Sequence, residues 1–332
     1  MKPFISICFL LSVVMVHGQS GMGSFGLSSL PAGGRSLALG GVQAALLDKE
    51  DLSFARDNPA LADSISSGDF SLQYAPFFGG VNLLNASYAF KAGRVGILNV
   101  GLAYLDFGDL DETDLTGETI GSFRPRNYEV RVGRSHRIGA FVLGANLKIL
   151  SSQISSYSSS ALAVDLGGVF DHPRADFQLG VVLKNVGLVL SDFGTESTQL
   201  PVDLQLGLSF KPRYMPARLL MNASNTTENL SYFQSLPGDL DSPSLFNGIF
   251  RHLSIGTEWY LGRAFNLMLG YNRLRNQELK LAQGNFGAGL SFGFLLKLKK
   301  LQFLFSRSTY HAAGGVSTFG IQGNLEKLFK KF

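Results

Sequence analysis

The chain has almost no cysteine, little charge and no long apolar run, and each absence excludes a class of protein. Cys8 is the only cysteine in 332 residues and lies close to the N-terminus. Disulfide bonds and cysteine catalysis are therefore not expected in the rest of the chain. Charged residues make up only 16% of the sequence, whereas soluble domains carry about 25%. No segment approaches the roughly 18 uninterrupted apolar residues of a transmembrane helix.

The side chains that catalysis, metal binding or nucleic-acid binding would need are missing or scattered. Ser291 is the centre of a Gly-x-Ser-x-Gly pattern, but it falls within a predicted strand and not at the strand-to-helix turn that exposes a catalytic serine. The later histidines, at positions 136, 172, 252 and 311, form no apparent metal cluster. The net charge of +4 is too small to indicate nucleic acid. We therefore predict that the protein is not an enzyme and has no cofactor and no metal.

The N-terminus, in contrast, has the pattern of a secretory signal peptide. Lys2 is followed by a mostly apolar stretch from Phe4 to Val16, and the small residue Gly18 precedes Gln19. A basic start, a short apolar core and a small residue at the cleavage point are typical of such leaders, and the core is too short to span a bilayer. We predict a signal peptide at residues 1–18 with cleavage after Gly18.

Fourteen short apolar or alternating stretches follow one another from Phe70 to the end, and the gaps between them alternate between short and long. The short gaps are Lys91–Gly93, Ser135–Gly139, His172–Arg174, Pro212–Pro216, Gly262–Arg263 and Lys297–Lys300. The long gaps are Gly108–Gly121, Ser151–Ser159, Leu188–Leu200, Thr226–Gly248 and Asn276–Gln283. This rhythm is typical of a membrane β-barrel with an even number of strands. It predicts an all-β fold, a membrane-spanning antiparallel up-and-down β-barrel of about 14 strands, over residues 69–332.

Side-chain alternation within the stretches agrees with a wall that has one apolar face. The odd-numbered positions from Phe141 to Ile149 are apolar, whereas Gly144, Asn146 and Lys148 form the other face. A soluble β-sandwich would show the same alternation. The signal peptide, the asymmetry of the gaps and the aromatic residues near strand ends favour the barrel.

Charge differs between the two kinds of gap. The short turns are basic, with residues such as Lys91, Arg94, His136 and Arg137. The first long loop is acidic, and its candidate contacts for a surface partner are Asp109, Asp111, Glu112 and Asp114. Because short turns face the periplasm in bacterial barrels, we predict extracellular long loops and a location in the outer membrane of a Gram-negative bacterium.

The polar face of the central strands carries charges of alternating sign. These residues are Glu129, Arg131, Lys148, Asp165, Lys184 and Asp203. Each lies roughly six to ten residues from its short turn, which at about 3.3 Å per residue puts them all at mid-barrel height. We predict a ladder of ion pairs in the lumen and a filled, poorly conducting barrel. The alternative is that each charge meets water singly.

Residues 19–68 lack a strand pattern and are predicted to form a hatch. Gly-Gly and Asn-Pro pairs mark tight backbone turns in this segment. An apolar stretch of about fifty residues outside the strands needs a place to be buried, and the interior of a barrel this wide is available. The candidate structural residues of the hatch are Arg35, Gly40, Gly41, Asn58 and Pro59.

These hatch residues carry a resemblance to a known family. Arg-x-x-Ala-Leu-Gly-Gly at 35–41, followed by Asn-Pro-Ala-Leu at 58–61, resembles the hatch of the FadL-like outer-membrane barrels. Further stretches bring the likeness closer to the PorV/PorQ branch, and to PorQ within it, of the type IX secretion system of Bacteroidetes. They are Leu-Gly-Ala-Asn-Leu-Lys at 143–148, Asp-Leu-Gly-Gly at 165–168, Lys-Asn-Val-Gly at 184–187 and Leu-Pro-Val-Asp-Leu-Gln-Leu-Gly at 200–207. Residues 325–332, which run past the last predicted strand, depart from the pattern.

The resemblance implies a role in protein secretion. PorQ-like barrels anchor a cell-surface attachment complex with a second barrel (PorV), a sortase-like protease (PorU) and a large surface protein (PorZ), which joins exported cargo to lipopolysaccharide. On this interpretation the long loops hold the partner, and further candidate contacts are Tyr232, Phe233 and Phe246. The other partners would be outer-membrane lipid and lipopolysaccharide. The alternative is a FadL-like transporter of a hydrophobic small molecule.

Overall fold

The structure is a computed structural model, which describes residues 25–48, 51–114, 116–193, 198–224, 252–278, 287–311 and 314–329. The predicted signal peptide and the predicted contacts Tyr232, Phe233 and Phe246 lie outside these ranges. Within them, no helix has both the length and the apolar character needed to cross a membrane.

The described residues form sixteen strands, of which all but β4 and β5 close into one antiparallel barrel. The strands are β1 Asp69–Pro76, β2 Asn82–Ala92, β3 Gly96–Asp106, β4 Leu110–Thr113, β5 Thr119–Phe123, β6 Arg126–Ile138, β7 Phe141–Ile154, β8 Tyr157–Asp171, β9 Phe177–Ser191, β10 Asp203–Phe210, β11 Ala217–Ala223, β12 Leu253–Leu261, β13 Phe265–Asn272, β14 Leu290–Leu298, β15 Leu301–His311 and β16 Gly314–Asn324. Strand β1 pairs with both β2 and β16, which closes the ring. The predicted 14-stranded up-and-down barrel is confirmed.

Short helical turns complete the described regular structure. The α-helices are α1 Gly34–Ala38, α2 Arg273–Glu278 and α3 Leu325–Phe329. The 3-10 turns are Gly26–Ser29, Leu52–Arg56, Pro59–Ser64, Phe78–Gly80 and Gly93–Val95. Helix α3 accounts for most of the C-terminal departure noted above. It begins where the backbone N–H of Leu325 donates to the carbonyl of Gly68 at 2.8 Å, so the chain leaves the barrel beside the start of β1.

The barrel has a short-turn end and a long-loop end, but two gap predictions are wrong. The predicted long loop Ser151–Ser159 is instead strand on both sides of a tight turn, because β7 continues to Ile154 and β8 starts at Tyr157. Ser155 makes that turn with φ of 52°. The serines suggested a loop because they are small and polar, but serine side chains also occur on both faces of a strand. The predicted short gap Ser135–Gly139 is also largely strand, since β6 continues to Ile138.

The outer face of the barrel is an apolar belt. On β7, the outward positions Phe141, Leu143, Leu147 and Ile149 are each between 52% and 56% exposed, whereas the even-numbered positions from 142 to 150 are buried or half-buried. A wall with apolar side chains outside and polar ones inside matches a barrel in lipid. Ten residues of strand, tilted by about 40°, cover the roughly 25 Å of the apolar layer.

The segment before β1 lies inside the barrel and packs closely against the wall. Its buried Leu39, Phe54 and Leu61 form one core with inward-facing Val142 and Met268. Hatch backbone also occupies the space in front of several wall glycines. Added Cβ atoms would lie 2.3 Å from the Pro59 carbonyl carbon at Gly144, 1.9 Å from the Ala44 oxygen at Gly180, 2.5 Å from the Leu39 oxygen at Gly256 and 2.2 Å from the Gly40 nitrogen at Gly270. We call Gly144, Gly180, Gly256 and Gly270 the glycine belt; its members leave room for the hatch, whereas any side chain there would clash.

Candidate functional site

The hatch contains one short α-helix, α1, whose end depends on two glycines. Helix α1 ends at Ala38, and Gly40 and Gly41 follow with φ of 97° and 140°. These left-handed conformations favour glycine because it has no Cβ atom. They allow the backbone N–H of Gly41 to donate to the Ser36 carbonyl at 2.9 Å, which turns the chain sharply after the helix.

The Asn-Pro pair of the hatch starts a second turn and ties two parts of the segment together. The Asn58 side-chain oxygen accepts a hydrogen bond from the Ala60 N–H at 3.0 Å, and Pro59 occupies the first position of the turn. Asparagine caps and first-position prolines are both favoured at helical starts. The amide nitrogen of Asn58 donates to the Ala44 carbonyl at 2.7 Å, so the same side chain also holds the earlier part of the hatch.

Asp57 is the central acceptor within the hatch. Its carboxylate accepts hydrogen bonds from the Ser36 hydroxyl at 2.5 Å, the Ala32 N–H at 2.9 Å and the Gln43 N–H at 3.2 Å. The residue is fully buried. A buried carboxylate that is satisfied by three donors fixes the parts of the chain that supply them.

Arg35 joins the hatch to the barrel wall through a buried cluster of charges. Its guanidinium donates to both carboxylate oxygens of Glu258 on β12, at 2.8 and 2.9 Å. It also pairs with Asp48 at 2.7 Å and with Asp51 at 3.5 Å, and it lies 5.2 Å from the Phe54 ring centroid. Arg35 is 1% exposed. One cation is therefore shared by three neighbouring carboxylates, and its Nη2 atom makes charge-assisted hydrogen bonds to both oxygens of Glu258.

Arg56 makes a second connection to the wall on the other side of the lumen. It pairs with Glu129 of β6 at 2.9 Å and 3.2 Å, and it donates to the Leu27 carbonyl at 2.6 Å. Lys184 of β9 donates to the backbone carbonyl of Arg56 at 3.1 Å. The hatch is thus held by buried charged groups from β6, β9 and β12.

The predicted ladder differs from the observed contacts because the hatch supplies one of the cations. Lys148 and Asp165 pair directly across β7 and β8 at 2.7 Å. Glu129 instead pairs with Arg56 of the hatch, and Arg131 donates to the neutral side chains of Asn99 and Ser87. Asp203 accepts from Gln205 at 2.8 Å. All six predicted residues are buried in the lumen, at no more than 8% exposure.

A bulge in β9 places Asn185 beside the Lys148–Asp165 pair. Val164 pairs with Val186 but Leu166 pairs with Leu183, so β9 has one extra residue opposite Asp165. Asn185 adopts φ of 59°; its N–H donates to Asp165 at 2.9 Å, and its side chain accepts from Lys148. Its amide also donates to the Pro201 carbonyl at 2.7 Å. Bulges re-aim side chains in this way, and here the bulge completes the polar network.

The long-loop end carries the predicted acidic contacts on a hairpin outside the barrel. Strands β4 and β5 pair only with each other, and Asp109, Asp111, Glu112 and Asp114 are all exposed. Arg124 holds the base of the hairpin by pairing with Asp106 at 2.5 Å. Hydrogen bonds from the Thr116 hydroxyl and from nearby backbone N–H groups keep the pKa of Asp114 below its usual value. Asp114 therefore shapes the hairpin tip, whereas the other three carboxylates face solvent.

Two apolar clusters line the lumen below this hairpin. Leu27 of the hatch packs against wall residues, which are Ala75, Leu83, Ala103, Leu105 and Val316. Phe25 packs against a second group, which consists of Leu150, Ala161, Ala163 and Leu200. The inner face is therefore apolar near the long-loop end and charged at mid-height.

Comparisons with known proteins identify the fold. No family model matches the chain, and no curated protein matches it. The solved structure of the TodX monoaromatic hydrocarbon channel (a deltaS2 mutant) superposes with a TM-score of 0.57 at 12% identity, covering 89% of this chain and 99% of that one. A FadL homologue of Pseudomonas aeruginosa superposes with a TM-score of 0.51 at 10% identity, covering 88% and 98%. The chain has the fold of the FadL-type outer-membrane barrels.

Sequence reasoning missed the wall and hatch groups that complete this FadL-type barrel. Glu258, Arg56 and Asp57 are the centres of three buried interactions, yet none was singled out. Glu258 lies 223 residues from Arg35 along the chain, so no local pattern links them. One signal was available for Glu258. It follows Gly256 by two residues and so lies on the same inward face of the strand, where a buried acidic side chain needs a cationic partner.

Proposed function

We propose that the protein is a non-catalytic outer-membrane anchor in which a sealed FadL-type barrel holds a cell-surface attachment complex of the type IX secretion kind. The observation that carries this proposal is the fixed hatch. Arg35, Arg56 and Lys184 tie it to the wall from several sides, and the glycine belt fits its backbone closely. A passage for a ligand would require these buried contacts to break together, which is costly because each leaves an unpaired buried charge.

The partner surface in this proposal is the hairpin of β4 and β5. Among its residues, Leu110 and Ile120 are exposed apolar side chains (42% and 65%) beside the exposed carboxylates of Asp109, Asp111 and Glu112. Apolar and charged groups mixed on a protruding element suit a protein interface. The chemistry fits a basic, partly apolar surface of a large exported protein such as PorZ, acting together with PorU and PorV.

The test is affinity purification of a tagged copy from native outer membranes in mild detergent, followed by protein and lipid mass spectrometry. The D109N/D111N/E112Q variant should lose most of a surface protein that the wild type recovers in near-equal amount. Asp114 is left intact because it shapes the hairpin tip. The matched control is R174Q/R263Q, which removes exposed charges at the opposite end. Retention of the partner by the acidic variant would rule out this hairpin as the contact.

The second candidate is a transporter of a hydrophobic small molecule, and the comparisons favour it over the anchor. One superposed structure is a channel for monoaromatic hydrocarbons, and the other is a FadL homologue. The apolar lining near the long-loop end, around Phe25 and Leu27, is the feature of this chain that suits an apolar ligand. Recovery of the barrel alone with a bound apolar molecule, together with uptake of that molecule by vesicles containing the barrel, would establish this candidate instead.

A further inference from the structure

An arginine and a histidine interrupt the lipid-facing side of β6. Inward and outward positions alternate along this strand, and the outward Val130, Val132 and Ile138 are exposed apolar residues. Arg134 and His136 lie on the same outward face, between Val132 and Ile138. Among the described residues, neither of them makes an ion pair or a side-chain hydrogen bond. Arg134 and His136 therefore face the lipid with no ion-pair partner in the part of the chain that the structure describes.

Neighbouring aromatic residues mark how deep these positions lie. A string of contacting rings follows the short-turn end of the barrel, from Phe141 through Phe170 and His172 to Phe177 and Phe210, with centroid distances of 5.3 to 6.5 Å. Such strings lie at the boundary between lipid headgroups and acyl chains. They set the membrane level at the base of β7.

Arg134 starts inside the apolar layer and reaches back toward this boundary. It pairs with Ala145, four residues above Phe141, which corresponds to about 10 Å of depth for a tilted strand. Its Nη2 atom lies 3.8 Å from the Cβ position of Gly96, the first residue of β3 at the short-turn end. The long side chain thus directs its charge to headgroup depth, as arginines near a membrane boundary do.

A groove lies beside the two side chains. It has a volume of about 520 Å³ and is lined by Arg134, His136, Leu143 and Ala145 together with Ser135 and Gly144. Ala145 is the small residue that pairs with Arg134 across β6 and β7, so the outer surface of the wall is recessed beside the arginine side chain. The groove therefore offers apolar walls with the Arg134 cation and the His136 ring at one end. This arrangement complements the apolar tail and anionic headgroup of a phospholipid.

We propose that this outer groove of β6 and β7 binds one anionic glycerophospholipid of the periplasmic leaflet. Its phosphate would pair with Arg134 and accept a hydrogen bond from His136, and an acyl chain would lie along Leu143 and Ala145. The exposed Lys91, near the end of β2, and Arg94, in the connection to β3, add positive potential at the same end. Basic pockets at this depth recognise anionic headgroups, and the bound lipid would neutralise a charge that is otherwise unfavourable on a lipid-facing wall.

The test is lipid retention by the purified full-length protein. Wild type is equilibrated with phosphatidylglycerol and phosphatidylethanolamine in equal amount, delipidated in detergent, and analysed by native mass spectrometry. We expect one retained phosphatidylglycerol in the wild type. R134Q should reduce its retention about fivefold, and A145L, which narrows the groove beside Arg134 and leaves the charge in place, should reduce it similarly. R174Q, at an exposed turn of the same end, should retain it.

Both variants change lipid-facing residues, so their folding is checked by the heat-dependent shift of the barrel in gel electrophoresis. Equal retention of phosphatidylglycerol by wild type and R134Q would overturn the proposal. Equal retention of the two lipids by the wild type would also overturn it, because the site would then lack recognition of the anionic headgroup. Loss of lipid in R134Q with full retention in A145L would exclude the groove and leave only a surface charge.

Discussion

At the scale of single residues, the molecule concentrates charge where neither lipid nor bulk water reaches. Arg35 is the clearest case, because it is almost fully buried and stands between carboxylates from the hatch and from β12. Such a cluster is weak evidence for stability as a whole, but removing the shared cation leaves like charges facing one another. Replacing different residues of the cluster should therefore lower the free energy of unfolding by different amounts.

Arg35→Gln should destabilise the barrel by about 3–5 kcal/mol, because it leaves three carboxylates without their cation. Glu258→Gln should cost only about 1–3 kcal/mol, because Asp48 and Asp51 still pair with Arg35 and the amide can accept hydrogen bonds from Asn266. The measurement is urea unfolding in detergent, with the exposed Arg174→Gln as the control. A larger loss for Glu258→Gln than for Arg35→Gln would show that the cluster does not depend on its cation.

The glycine belt makes a second prediction at this scale. Gly180→Ala should cost about 1–3 kcal/mol or prevent correct seating of the hatch, because the new methyl group would lie 1.9 Å from the Ala44 oxygen. Gly168→Ala on the neighbouring β8 is the matched control, since its Cβ would meet nothing closer than 3.7 Å. The measurements for both variants are the midpoint of unfolding and the resistance of the hatch to protease. Equal behaviour of the two variants would mean that the hatch can shift to make room.

At the scale of elements, the sequence predicted the wall better than the interior. Period-two alternation is a local property, so β7 and β14 could be recognised from their own residues. The serine-rich stretch 151–159 was misread because serine is frequent in both loops and polar strand faces. The path of the hatch through the barrel could not be predicted from the sequence. It depends on residues of distant strands, such as Gly180, which leaves space for the hatch, and Glu258, which supplies a charge. Only its turn residues, Gly40, Gly41 and Asn58, carried a local signal.

Hatch and hairpin should differ in what their removal does to the lumen. In planar bilayers the whole protein should show no large steady conductance, because residues 25–48 and 51–65 fill the described interior. Removing these residues should open a wide ion-conducting path, since a barrel of 14 strands has an interior broader than its own side chains can close. Replacing residues 108–123 with a short turn is the control and should leave the conductance low. A large steady conductance of the intact protein would contradict a sealed lumen.

At the scale of the whole molecule, the two ends of the barrel are chemically different. The long-loop end presents the acidic hairpin, whereas the short-turn end presents basic residues such as Lys91, Arg94 and Arg263. Loop length and charge are both properties of the sequence, so the sequence alone predicts the orientation of the barrel. The contacts that decide between anchor and transporter are long-range, and the resemblance of the hatch residues alone could not supply them.

Orientation can be tested cleanly because Cys8 is the only cysteine and lies in the predicted signal peptide. Asp111→Cys on the exposed hairpin should react in intact cells with a maleimide carried on a polymer too large to cross the outer membrane. Arg174→Cys at the short-turn end should react only after that membrane is permeabilised. Both positions are exposed, so reactivity reports the side of the membrane and not burial. Labelling of Arg174→Cys alone in intact cells would show that the orientation is the reverse of the predicted one. The groove beside Arg134 would then lie in the outer leaflet, where lipopolysaccharide would be the expected source of phosphate.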